Sequence, residues 1–210
     1  MKTANAIHAP LGETVVLLHT CCAPCSSAII EALLQNGITP VIYYCNPNIY
    51  PQEEYEIRKE ECTRYATALG LEIVDADYDH DNWLSAIKGL ENEPERGGRC
   101  LKCFKLRLLR TAEYARKRGI KVITTTLASS RWKSLEQIDQ AGRWACDEVS
   151  GHFGQSEGAE SATGNWPVWW SHNWRKGGLQ ERRLQILKEY DFYNQQYCGC
   201  EFSIRKEEKI

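Results

Sequence analysis

Short β-branched runs alternate with longer stretches of helical apolar spacing along the chain. Glu13 to His19 (ETVVLLH) predicts a first strand that stops at a cysteine-rich turn. Ser26 to Gln35 then carries Ile29, Ile30, Leu33 and Leu34 at helical intervals. Gly37 stops that helix, and Thr39 to Cys45 (TPVIYYC) predicts a second strand. After the loop Asn46 to Tyr50 (NPNIY), Pro51 opens a helix that runs to about Leu69, with Glu53, Glu54 and Glu56 in its first turns. Leu71 to Ala76 predicts a third strand and Asp81 to Leu90 a short helix. Leu101 to Arg118 predicts a long basic helix ended by Gly119, and Lys121 to Leu127 (KVITTTL) a fourth strand. Ser134 is placed to cap a helix reaching about Val149. Residues 151–165 are rich in Gly, Ser and small polar residues and read as a surface loop. Trp166 to Trp174 predicts a last strand and Gly178 to Tyr190 a last helix, followed by a cysteine-containing segment over residues 191–210.

Strands separated by helices of this length imply βαβ units. The fold class is therefore α/β: one domain over residues 1–210, with a parallel sheet flanked by helices. In such sheets ligands bind at the C-terminal ends of the strands. The loops after the first, second and fourth strands hold the cysteine cluster, the NPNI segment and Ala128 to Lys133 (ASSRWK), so one rim collects the unusual residues.

Composition changes this picture in one respect. The 210 residues are 42% hydrophobic and 26% charged, which suits a globular core. No stretch approaches the ~18 consecutive apolar residues of a membrane span, and the first residues lack a basic-then-apolar leader. The expectation is a soluble, cytoplasmic protein without a membrane partner. A net charge of -2 excludes a generic polyanion coat and leaves nucleic acid to be met by a local patch. Ten cysteines are the departure: Cys21, Cys22 and Cys25 cluster, as do Cys100 and Cys103, and Cys198 and Cys200, whereas Cys45, Cys62 and Cys146 stand alone.

A reducing compartment disfavours structural disulfides, so the grouped thiols point to metal or redox chemistry. Two Cys-x-x-Cys pairs are spaced for thiolate ligation of iron–sulfur or zinc. Cys198-Gly199-Cys200 reads equally as a redox-active disulfide pair or as two further ligands. Isolated cysteines within strand and helix patterns read as small buried hydrophobes. Basic residues such as Arg99, Lys102, Lys105, Arg107, Arg110, Arg131, Lys133 and Arg175, interleaved with Phe104, Trp132 and Trp174, suit either a solvated surface or a nucleic acid whose bases stack on aromatics.

The ordered motifs Cys21-Cys22-Ala23-Pro24-Cys25-Ser26, Asn46-Pro47-Asn48-Ile49 with Pro51, Glu54, Tyr55 and Arg58, Arg99-Cys100 to Cys103-Phe104 with Arg107-Leu108, Thr124 to Leu127, and Tyr197 to Cys200 with Phe202-Ser203 together resemble the QueH-type epoxyqueuosine reductase family. The resemblance runs from about Val15 to Ser203. It implies a fold similar to the nucleotide-binding HUP domains, and two-electron removal of the epoxide oxygen of epoxyqueuosine at the tRNA wobble position. It also implies a four-iron (4Fe-4S) cluster with an additional mononuclear iron, and places the metal ligands among Cys21, Cys22, Cys25, Cys100, Cys103, Cys198 and Cys200. The partners it implies are a tRNA with a queuosine-type anticodon and an electron donor that the sequence does not identify. On this reading Tyr43, Tyr55 and Asp77 are candidate catalytic proton donors. Asn46 and Asn48 are candidate contacts to the modified base, and Arg58, Arg107 and Lys133 candidate contacts to tRNA phosphates. The chain departs from the family pattern at Ser130-Arg131, where a Ser-Pro step is usual, and at Asn173, where an aspartate is usual. The alternatives are a zinc-stabilised RNA-binding α/β protein and a tRNA sulfur-transfer enzyme. The latter is disfavoured because the first loop has no glycine to let a phosphate approach the backbone.

Overall fold

Alternate residues of the first strand face opposite ways, and both ways are apolar. In the computed structural model, which describes residues 6–151 and 166–204, β1 (Val15–Thr20) sends Val16 and Leu18 into one core and Leu17 into another. β2 (Thr39–Tyr44) divides Ile42 and Tyr44 from Val41 and Tyr43 in the same manner. A strand buried on both faces belongs in the middle of a parallel sheet. Among the described residues five strands run in the order β3-β2-β1-β4-β5, all pairs parallel, with β3 at Ile73–Asp75, β4 at Val122–Thr125 and β5 at Val168–Trp169.

Among the described residues the α-helices are α1 (Ala23–Gln35), α2 (Gln52–Ala68), α3 (His80–Ala86), α4 (Gly98–Arg118), α5 (Leu135–Ser150) and α6 (Leu179–Glu189). Ile29, Ile30 and Leu33 of α1, Tyr55 and Tyr65 of α2 and Ile186 of α6 fill the first core. Phe104, Leu108 and Ala112 of α4 and Ile138, Ala141 and Ala145 of α5 fill the second. This is the α/β architecture expected, consistent with a HUP-like fold.

Two boundaries differ instructively. Helix α1 begins at Ala23, inside the cysteine turn, because Cys22 takes the extended N-cap conformation and Pro24 is tolerated in a first turn that needs no amide donor there. The last strand shrinks to two residues. Val168 and Trp170 donate to the carbonyls of Lys121 and Ile123, after which the chain leaves the sheet. Trp169 of this strand lies so close to α5 that a Cβ on Gly142 would stand 2.2 Å from its ring, so only glycine fits there. Ser134 caps α5 as expected, its hydroxyl accepting from the Gln137 amide at 3.2 Å. The loop expected over residues 151–165 lies, beyond Gly151, outside the described residues.

Candidate metal and active site

The strand order reverses direction at β1: the chain crosses from β1 to β2 on one side and reaches β4 on the other. The crevice at such a switch point, outside the carboxyl ends of the strands, is where open α/β sheets bind ligands. Here it is bounded by the turn after β1 and the 3-10 turn Thr126–Ser129 after β4. The Cys21 amide donates to Thr126 Oγ1 at 3.3 Å, joining the two walls.

Cys21, Cys22 and Cys25 converge in this crevice, their Sγ atoms all within 4.8 Å of one another, and Cys21 and Cys22 3.8 Å apart. Cys22 is the N-cap of α1 and Cys25 its third residue, so the unpaired amides and positive end of the helix favour thiolates at this place. The three protons are not held equally. Hydrogen bonds from Cys22 and Cys25 hold Cys21 well below the usual thiol pKa, with Lys133 and Arg107 helping against burial. Burial pushes Cys22 well up, and the Cys21 sulfur pushes Cys25 up to about 12. One negative charge is easily accommodated and the next two need a cation. Three soft thiolates with cationic neighbours are a donor set that fits iron or zinc.

The triad opens into a cleft of about 660 Å³, lined also by Ser129 to Lys133, Arg58, Arg175, Gln180, Arg183, Gln195 to Cys198 and Ser203, with Glu95 as its one carboxylate among the described residues. A second cavity of about 40 Å³ is lined by Cys100, Cys198 and Cys200. Cys198 and Lys133 line both. Cys103 and Cys200 pack with Trp83 and Ile87 in a small buried cluster, and Cys200 also reaches the lining of the second cavity. Burial raises the pKa of Cys100 and Cys103, and that of Cys200 to about 12. All ten cysteines are free thiols. Among the described residues only the first triad brings three ligating atoms to metal-site spacing.

A family model described as epoxyqueuosine reductase QueH matches residues 16–206. Relatives named epoxyqueuosine reductase QueH include one from Haemophilus influenzae, 44% identical over 95% of this chain and 76% of its own length. Another, from Acinetobacter baylyi, is 46% identical over 90% of this chain and 80% of its own length. One from Thermotoga maritima is 32% identical over 90% of each. The chain belongs to the epoxyqueuosine reductase QueH family.

Within this site the residues singled out from sequence separate into two sets. The cleft is lined by Cys21, Cys25, Cys198, Arg58 and Lys133. Burial works against the Lys133 ammonium, yet the sulfurs of Cys198, Cys21 and Cys25 hold its pKa above the usual lysine value. Arg58, although it reaches the lining, is only 3% exposed. Its Nε donates to Glu54 at 2.7 Å and its Nη atoms donate to the carbonyls of Cys198 and Tyr197 at 3.3 and 3.2 Å. It ties the C-terminal segment to α2.

The second set stays out of the cleft lining. Arg107 is 2% exposed and donates to Asn46 Oδ1 at 2.5 Å and to the Cys45 carbonyl at 3.2 Å, while Asn46 Nδ2 donates to the Thr20 carbonyl at 2.9 Å. Asn48 is buried against Gly199, and its Oδ1 has no partner among the described residues. Tyr55 donates to Asp75 Oδ1 at 2.8 Å, and Tyr43 stacks on Tyr114 at 4.8 Å; burial raises the pKa of both phenols. Asp77 is exposed, its carbonyl accepting from Arg110. None of these six lines the cleft.

Two residues escaped the sequence reading. Gln195 Nε2 donates to Cys22 Sγ at 2.9 Å and stands 3.6 Å from Cys25 Sγ. Nothing in an aperiodic stretch announces such a residue. His19 ends the apolar run of β1, and burial, with the charge of Arg107, lowers its pKa to about 3. Its Nε2 lies 3.1 Å from the Cys45 carbonyl, an acceptor only, so Nε2 carries the proton and Nδ1 accepts from the Thr125 hydroxyl at 2.7 Å. A histidine closing a buried strand beside a cysteine turn was the available signal.

Proposed function

We propose that this chain is an epoxyqueuosine reductase acting on tRNA. Both C–O bonds of the epoxide break and the two carbons become doubly bonded. Two electrons from an external donor and two protons are consumed, and the oxygen leaves as water. The observation that carries the proposal is the thiol triad at the switch point of the sheet, opening on a cation-lined cleft, in a chain of a reductase family.

In this proposal Cys21, Cys22 and Cys25 hold an iron–sulfur cluster, and the additional iron takes its ligands from among Cys198, which lines the same cleft, and Cys100, Cys103 and Cys200 of the neighbouring cavity and cluster. These groups would supply electrons one at a time and a Lewis acid for the oxygen. The residues around them do the positioning. Lys133 holds a positive charge against the thiolates and toward the oxygen where negative charge develops, in a site partly withdrawn from water. Arg131, Arg175 and Arg183 line the cleft for phosphates. Arg58, Arg107 and Asn46 are positioning residues that fix the loops beneath the metal site. Tyr43, Tyr55 and Asp77 do not line the cleft, and protons enter through its solvent-open mouth. A chain that binds tRNA and reduces it has a cytoplasmic place of work. No described helix is long and apolar enough to cross a membrane.

The test is anaerobic purification with quantification of iron, sulfide and zinc, followed by reaction with epoxyqueuosine-containing tRNA and mass spectrometry of its nucleosides. Iron in excess of sulfide and conversion to queuosine on reduction are expected. Stoichiometric zinc without sulfide, and unchanged nucleosides, would replace this reading by a zinc-stabilised RNA-binding protein, which the thiol triad also suits.

A further inference from the structure

The most exposed aromatic side chain among the described residues stands where the two cavities meet. Trp132 is 60% exposed and lines both the 660 Å³ cleft and its 40 Å³ neighbour. Indole left in water is unfavourable, by about 25 cal/mol per Å² of apolar surface, unless something covers it.

Its backbone is held on every side. Arg175 Nη2 donates to the carbonyls of Ser130 and Lys133 at 2.5 and 2.7 Å. Arg96 donates to the carbonyls of Trp132 and Arg131 at 3.0 and 2.9 Å. Four successive carbonyls are thus capped by two guanidinium groups. Arg96 is itself fixed, its carbonyl accepting from Gln137 at 2.8 Å. A rigid loop that presents a large, flat side chain loses little entropy when something stacks on it.

The surroundings say what would stack. The Arg131 guanidinium lies 4.9 Å from the indole centroid, so cation and ring form one surface. Among the described residues Arg131, Lys133 and Arg183, all lining the cleft, make no ion pair with an acid. An aromatic platform among unpaired cations fits a single-stranded nucleic acid, whose bases stack while its phosphates meet the charges. The cleft volume admits a nucleoside-sized group.

We propose that Trp132 is the stacking platform for a nucleobase of the substrate RNA next to the one that enters the cleft. This rests on the tRNA reading above and adds the residue that fixes the strand at the mouth of the site. Trp132 is therefore a positioning residue, acting on affinity and not on the reducing chemistry.

The test uses the anaerobically purified holoprotein and a labelled RNA stem-loop with a queuosine-type anticodon, with binding followed by fluorescence anisotropy across a salt series. Trp132→Ala is expected to weaken binding roughly 5- to 100-fold with an unchanged salt slope, and Trp132→Phe to restore most of it. Arg183→Ala should instead flatten the salt slope. If Trp132→Ala binds the stem-loop as the wild type does while Arg183→Ala weakens it, the stacking assignment fails and the tRNA reading stands. If the wild type binds no RNA, both fall. Loss of affinity for Trp132→Phe equal to that of Trp132→Ala would also overturn the platform, since any aromatic ring should serve.

Discussion

The side-chain amide of Gln195 donates to the sulfur of Cys22 at 2.9 Å, bridging 173 residues of chain. In the proposed iron–sulfur site, hydrogen bonds to a ligating sulfur raise the reduction potential of its metal and secure the segment that supplies them. Gln195→Ala should therefore shift the midpoint potential of the bound metal to more negative values. It should also weaken attachment of the C-terminal segment by about 1 kcal/mol. Potentiometric titration followed by electron paramagnetic resonance reads the first effect and limited proteolysis the second; an unmoved potential would separate Gln195 from the metal site.

Cys22→Ser tests the triad directly. Cys22 is buried between its two neighbours, and a hydroxyl there is a poor substitute for a soft thiolate. Bound metal should fall severalfold, and with it any charge-transfer absorption. Cys62→Ser, outside the grouped thiols, should leave metal content near that of the wild type. Elemental analysis of the two proteins side by side decides the point.

Gly199 joins the two last cysteines with φ of +108°, a conformation that L side chains avoid, and a Cβ there would stand 2.8 Å from Ile49 Cγ1 and 3.1 Å from Arg58 Nη1. Its carbonyl accepts from the Tyr50 amide at 2.8 Å, so the turn cannot simply move outward. Gly199→Ala should cost about 1–3 kcal/mol of stability and displace Cys198 from the cleft. Thermal unfolding combined with alkylation of Cys198 measures both, and a stable variant with native thiol accessibility would refute the constraint.

The solitary cysteines should be chemically silent. Burial raises the Cys45 thiol to about 11 and the Cys146 thiol to about 12, so at pH 8 only about one molecule in a thousand or fewer carries either thiolate. Iodoacetamide at that pH should leave both unmodified in the native protein and label them after denaturation, as peptide mass mapping would show.

Those solitary cysteines also mark how far the sequence could be read. Strand and helix were legible because each core-facing run, such as Val16 to Leu18 or Ile29 to Leu33, announces itself by periodicity. The rim was legible because parallel strands deliver their following loops to one edge. Side-chain direction was not. Arg58, Arg107 and Asn46 looked like substrate contacts, yet their polar atoms meet carboxylate and carbonyl groups supplied by distant segments. Whether a guanidinium turns in or out depends on what the fold brings beneath it, which no local pattern encodes. Gln195 was hidden for the same reason, and β5 was overextended because the aromatic run Trp166 to Trp174 has strand propensity but only its first part finds a partner strand.

The order of residues in the site sets an order of events during synthesis. Cys21 to Cys25 emerge about 170 residues before the Gln195 amide and Cys198 to Cys200. The switch-point crevice is bounded by β4 and the turn after it, so the early thiols precede by about 100 residues the walls that later surround them. Arg58 then waits for the carbonyls of Tyr197 and Cys198 to arrive. The pocket is therefore complete only once Tyr197 to Cys200 have joined it, and a nascent chain stalled before Gln195 carries the Cys21, Cys22 and Cys25 thiols without the Gln195 amide that covers them.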